Sequence, residues 1–267
     1  GLAAVLAVTH HSVNWVLTAM FWWTDRYMVT SIPNYARLGS AEFYGLRLTD
    51  QFASPAVCVF LFVSGYFVSA AAGHSEKLSW PIVISRIKGL LPPYALWSLV
   101  AIVLNVINGE TYSASRFAWV LLVGGAAAPF YYVPLLVKLY VLSPWLVPLA
   151  RHHWKPLLIM TGLVQLCVAI ARSSIIVGIL GLDDSPLLRP LINSHLAAYS
   201  FWFASGLVVG FHVAEFKAMV QRIRPALPWA MALVGIGAFV EWEVLRRWSG
   251  RPWIAGDVTV LDNMFSL

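Results

Sequence analysis

The chain has 267 residues, of which 60% are hydrophobic and only 11% charged, with a mean hydropathy of +0.74. Soluble domains run at about 45–50% apolar and about 25% charged, so these proportions exclude a soluble globular fold and leave a polytopic membrane protein. The formal net charge of +6 is scattered over the ends of apolar runs and forms no stripe, which argues for loops facing anionic lipid and against nucleic acid as a partner.

Apolar runs of spanning length fall at 1–22, 52–72, 92–108, 128–150, 156–180, 196–213 and 227–245, with an eighth starting near 262. The expected fold is all-α, a transmembrane helix bundle with seven to eight spans in one domain over 1–267. A further apolar piece, Phe117 to Ala128, is too short to span. Lysines and arginines near span ends are equally divided between the two sides. Every lysine outside a span and few of the acids fall on one side, which places the amino-terminal side inside. The chain opens without an initiator Met and stops inside an apolar segment, so it is expected to be truncated at both ends. Cys58 and Cys167 lie in apolar runs, and neither a disulfide nor a metal site is expected.

The first run carries His10 and His11 near its middle. Ionisable groups at that depth are costly and point to function. On a helix His11, Asn14, Trp15 and Thr18 share one face. Asn14 is placed to orient an imidazole or bond a substrate oxygen, and Trp15 to pack against a sugar. One histidine of the pair is expected to be a satisfied packing residue, and that role falls to His10. The connection from Trp23 to Gln51 reads as a solvated loop, with an entrance for a polar substrate as the alternative.

In the second run Ser64 and Gly65 are small enough to admit a neighbouring helix. The third is preceded by Arg86 and Lys88, with Pro92 and Pro93 suited to a helix start. Those cations would lie at the inner surface, where lipid phosphate and a phosphorylated cofactor are equally good readings. In the fourth, Lys138 lies one turn from Pro134 and is expected to face the bundle interior, where pairing is favoured slightly over substrate contact. Gln165, Arg172, His195 and His212 read as structural, and Glu241, Glu243, Arg246 and Arg247 as pairs along one helix.

Four stretches together resemble acyltransferase family three, bacterial integral membrane enzymes that O-acylate surface glycans. Residues 1–11 are similar to the family's first span, in which an arginine precedes a histidine by eleven residues. Val59 to Tyr66, Arg86 to Tyr94 with Trp97, and Tyr131 to Pro144 match its later signatures in order, with Ser205-Gly206 as a weaker echo. The arginine would fall just before Gly1, which assigns the family histidine to His11. Gly89 stands where a second arginine is common, so phosphate binding would rest mainly on Arg86, with Lys88 as a substitute. The family has about ten spans.

The resemblance implies acyl-CoA, acetyl-CoA in the simplest case, as cytoplasmic co-substrate, with no metal. It implies a carbohydrate or glycolipid acceptor outside, and location in the bacterial inner membrane among lipids. His11 would take the hydroxyl proton, an imidazole being suited to this at neutral pH, with Asn14 assisting. Arg86 and Lys88 would hold the donor, and Trp15, Tyr131 and Lys138 would contact substrate. Direct transfer and a relay through an acyl-enzyme are both open, as are acceptor identity, chain length and oligomeric state. The rival reading is an exporter of lipid-linked sugar, and a third is a non-catalytic scaffold.

Overall fold

The computed structural model describes residues 1–21, 38–172 and 194–249, all-helical apart from short turns and without a strand among them. The helices are α1 (Leu2–Phe21), α2 (Ala41–Ala53), α3 (Ala56–Ala72), α4 (Trp80–Ile107), α5 (Ala114–Val123), α6 (Tyr132–His152), α7 (Trp154–Arg172), α8 (His195–Phe211), α9 (Val213–Ile223) and α10 (Leu227–Ser249). Five stretches among the described residues are long and apolar enough to cross a bilayer: Ala41–Ala72, Trp80–Ile107, Ala128–His152, Trp154–Arg172 and Leu227–Trp248. α1 is 20 residues long, which at 1.5 Å per residue gives about 30 Å. The expected eighth run lies outside the described residues. This is an all-α, multi-pass membrane protein.

Two compact units divide the chain. The first takes in Gly1–Phe60 and the chain from Ala214 on. In it α1 packs on α2, and α2 on α10. Val13, Leu17, Phe43 and Trp242 form its buried apolar cluster. α2 overturns the reading of a solvated loop for 41–51, while 23–37 of that stretch lie outside the described residues. Ser40 caps the helix, its hydroxyl accepting from the Phe43 amide at 3.2 Å, and Glu42 sits in the first turn, where a carboxylate suits the helix dipole. Its buried residues are Phe43, Arg47, Asp50, Gln51 and Ala53, a helical stripe. Three of those five are polar, so hydropathy conceals a helix that periodicity would have revealed.

The second unit takes in Leu61–Gln165 and the helix that precedes Ala214. α6 packs on α4 and on α8. α3 meets α8 backbone to backbone: a Cβ at Gly206 would collide with the Phe62 carbonyl, and one at Gly65 with the Phe203 carbonyl. The small residues Gly206 and Gly210 stand four apart on α8, the spacing by which membrane helices approach closely. The close approach expected at Gly65 is therefore present.

α4 corrects the third span. It starts at Trp80, twelve residues before Pro92, with Pro81 in its first turn and Pro92 and Pro93 in its interior. Those prolines leave the carbonyls of Lys88 and Gly89 without their helical donors, a cost that membrane helices tolerate where neighbours compensate. Pro134 differs in the opposite direction. It falls in the first turn of α6, where no donor is missed, so it releases no carbonyl near Lys138.

One end of this unit is tied by polar contacts. Arg151 donates to the carbonyls of Gly73 at 2.8 Å and Ser75 at 3.1 Å, and His212 Nε2 lies 3.2 Å from the Ala150 carbonyl. His152 Nε2 meets the Glu76 carboxylate at 2.8 Å, and that bond holds the Glu76 carboxyl below its ordinary value of 4.5. A carboxyl depressed in the folded state stabilises above the ordinary carboxylate range, and the contribution is lost as pH falls through the folded value. The melting temperature of wild type should therefore exceed that of Glu76→Gln near neutral pH, with the gap closing between about pH 5 and pH 3. A gap that widens on acidification would contradict the pairing.

Candidate active site

The polar centre of the first unit is built by α1 and α2. His10, Val13, Asn14 and Leu17 follow one another at helical spacing and lie along the side of α1 that meets α2. Asp50, 2% exposed, points back from α2. His10 Nδ1 and Asp50 Oδ1 are 2.8 Å apart, an imidazole held on a buried carboxylate. The Asn14 amide donates to the His10 carbonyl at 2.9 Å and to the same Asp50 oxygen at 3.2 Å, and its nitrogen stands 3.3 Å from His10 Nε2. Arg47, 1% exposed, lies with NH1 3.4 Å from the other Asp50 oxygen. Its guanidinium also covers the Trp242 ring at 5.0 Å, which brings α10 into the support. A carboxylate accepting from an imidazole, an amide and a guanidinium is fully compensated, which is what keeps a charge at this depth.

His10 is thus the satisfied histidine of the pair, though a carboxylate satisfies it rather than apolar packing. His11 lies one position further round α1, half-buried, its ring edge against His10 at a centroid distance of 5.3 Å. No hydrogen bond occupies its ring among the described residues. Asn14, expected beside His11, orients His10 and Asp50 instead. Trp15 is 59% exposed and points away from the buried stripe.

Around the far end of α10, Glu243 accepts from Arg246 at 2.7 Å and 2.8 Å and from Tyr44 at 3.0 Å. This is the expected pairing along one helix with α2 as an added donor.

The remaining sequence-derived candidates belong to the second unit. Arg86 donates to the Phe67 carbonyl at 2.9 Å and stands over the Tyr140 ring at 5.6 Å, tying α4 to α3 and α6. Because α4 is helical through this stretch, Lys88 falls on nearly the opposite side from Arg86. The two cations do not converge. Tyr131 stacks on His195 at 4.3 Å and lies 6.2 Å from Tyr199, an aromatic group that sequence reading did not assemble. Lys138 does not face the interior. It is exposed, on the side of α6 away from Leu135, Leu139 and Tyr140, and once Pro134 sits in the first turn there is no freed carbonyl to draw it inward.

Asp50 and Arg47 are the residues that sequence reading missed as site members. Their signal was available as the spacing Phe43, Arg47, Asp50, at i, i+4 and i+7, ending beside the second apolar run at 52–72.

Comparison with curated proteins and with solved structures finds no match to this chain. A family model described as an acyltransferase domain matches residues 1–265, almost the whole length. With its apolar helices and the polar cluster on its first helix, the chain belongs to acyltransferase family three and is a membrane acyltransferase.

Proposed function

We propose that this protein moves an acyl group from a cytoplasmic acyl-CoA, with acetyl-CoA the simplest donor, to a hydroxyl of an extracytoplasmic glycan or glycolipid in the bacterial inner membrane. The observation that supports it is the histidine pair at the middle of α1, one ring committed to a buried carboxylate and the other open. His10 is held through Nδ1 by Asp50, with the Asn14 nitrogen 3.4 Å and 3.3 Å from its two ring nitrogens, and His11, whose ring no hydrogen bond occupies among the described residues, is the imidazole we assign to take the proton. The acceptor hydroxyl gives its proton to His11 as its oxygen attacks the thioester carbonyl. The C–S bond then breaks, and the leaving thiolate takes the proton back. The Asp50 charge beside the pair favours the imidazolium that forms in between. Asn14 holds Asp50 and His10 in place. Trp15, one helical turn from His11 on the same helix, is proposed to meet substrate.

Donor phosphates fall to Arg86, with Lys88 reaching only groups on the other side of α4. The test is transfer of radiolabel from acetyl-CoA to a bacterial surface glycan in membranes containing the protein. Wild type is expected to label the glycan, and absence of label across donors and acceptors would contradict the proposal. Arg86→Ala is expected to raise the KM for the donor by about tenfold, roughly 1.4 kcal/mol of binding. An unchanged KM would remove Arg86 from donor binding.

A further inference from the structure

None of the residues of α9 is buried, although its sequence is strongly amphipathic. At about 100° per residue, Val213, Phe216, Met219, Val220 and Ile223 fall within about a third of the helix circumference. Lys217 borders that stripe on one side and Arg222 on the other, while Ala214, Ala218 and Gln221 lie opposite it. Met219 is 50% exposed and Ile223 41%, so the protein leaves part of the stripe uncovered.

The chain itself restricts what can cover it. His212 alone separates α9 from the apolar α8, and Arg224, Pro225 and Ala226 alone separate it from Leu227, where a helix long and apolar enough to cross a bilayer begins. At 1.5 Å per residue the 11 residues of α9 span about 16 Å, so a helix tied this closely at both ends stays at the bilayer surface. An apolar stripe bordered by cations suits that position, with the stripe at the acyl boundary and the lysine and arginine stems reaching up to the headgroups. The charge selects among headgroups. Lys217, Arg222 and Arg224 are all exposed, and against these three cations residues 213–224 carry one acid, Glu215. That excess of positive charge is complementary to anionic phospholipid.

We infer that α9 is an interfacial helix that binds anionic phospholipid, with Met219 and Ile223 among the acyl chains and Lys217, Arg222 and Arg224 on the headgroup phosphates. This goes beyond the acyltransferase reading and does not depend on it.

The experiment uses the full chain in phospholipid nanodiscs. On the wild-type chain, photoactivatable phosphatidylglycerol and phosphatidylcholine are crosslinked separately and the adducts mapped by mass spectrometry. Adducts on 213–224 are expected from phosphatidylglycerol at about five times the yield from phosphatidylcholine, a preference of roughly 1 kcal/mol, which one cation at an anionic surface supplies. The triple variant Lys217→Gln, Arg222→Gln, Arg224→Gln should bring the two yields together. Equal yields on the wild-type chain, or no adducts on 213–224, would overturn the inference without relying on any variant. Depth is read by nitroxide accessibility, in a background where Cys58→Ala and Cys167→Ala remove the free thiols. Labels at Met219→Cys and Ile223→Cys should favour molecular oxygen, and labels at Ala218→Cys and Gln221→Cys a water-soluble nickel chelate. Met219 and Ile223 labels closed to both reagents would show a protein cover, and Ala218 and Gln221 labels open to oxygen alone would show a helix inside the bilayer. Either result contradicts an interfacial α9.

Discussion

Replacing Asp50 by alanine is expected to abolish measurable acyl transfer and to destabilise the first unit together. The carboxylate compensates Arg47, which is 1% exposed, and removing one partner of a buried pair typically costs about 3–5 kcal/mol. It also frees His10 Nδ1 and Asn14, both within 3.2 Å of the same carboxylate oxygen. Asp50→Asn separates structure from chemistry, because it keeps the shape and an acceptor oxygen while removing the charge. Its expected signature is a fall in kcat of about 10²-fold with a displaced pH–rate profile, in a protein that still folds. Wild-type kinetics in Asp50→Asn would show that the charge serves folding only.

The largest effect on stability alone is expected at Gly206. Its backbone lies against the Phe62 carbonyl so closely that any Cβ must move one helix, and a helix cannot yield as the end of a flexible side chain does. Gly206→Leu should destabilise the second unit by about 3 kcal/mol or more, read as a lowered melting temperature in detergent. Gly89→Ala is the matched comparison, since a Cβ there meets nothing within 4 Å. That change should be neutral or stabilising by about 0.5–1 kcal/mol, from helix propensity. Equal losses at both positions would show that the α3–α8 contact does not depend on the absence of a side chain.

What the sequence disclosed and what it hid divide along a physical line. Long apolar runs announce themselves by hydropathy, so α1, α3, α6, α7, α8 and α10 were legible, and Gly65 was recognisable as a packing position. α2 was not, because its buried stripe is largely polar and the hydropathy criterion reads Arg47, Asp50 and Gln51 as solvated. The same blindness hid the site, since the partner of the histidines lies in that helix. Proline misled twice by position: Pro92 and Pro93 lie inside α4 rather than at its start, and Pro134 lies at the start of α6 rather than inside it. Starting α4 at Pro92 left Arg86 and Lys88 in an unstructured stretch where both could meet one phosphate. Twelve earlier residues of helix turn them apart. Lys138 was placed inward from its position one turn from Pro134, but the apolar side of α6 is defined by Leu135, Leu136, Leu139 and Tyr140, and Lys138 is not on it.

The central claim is that His11 takes the proton while His10, held by Asp50, stands beside it. It is tested most directly by acetyl transfer in His11→Ala and His10→Ala measured side by side at equal expression. Loss of the base is expected to lower kcat by about 10²–10⁴-fold in His11→Ala. His10→Ala should retain part of the activity with a shifted pH profile. Full activity in His11→Ala, with transfer abolished in His10→Ala, would contradict the claim and make the Asp50-bound imidazole the base.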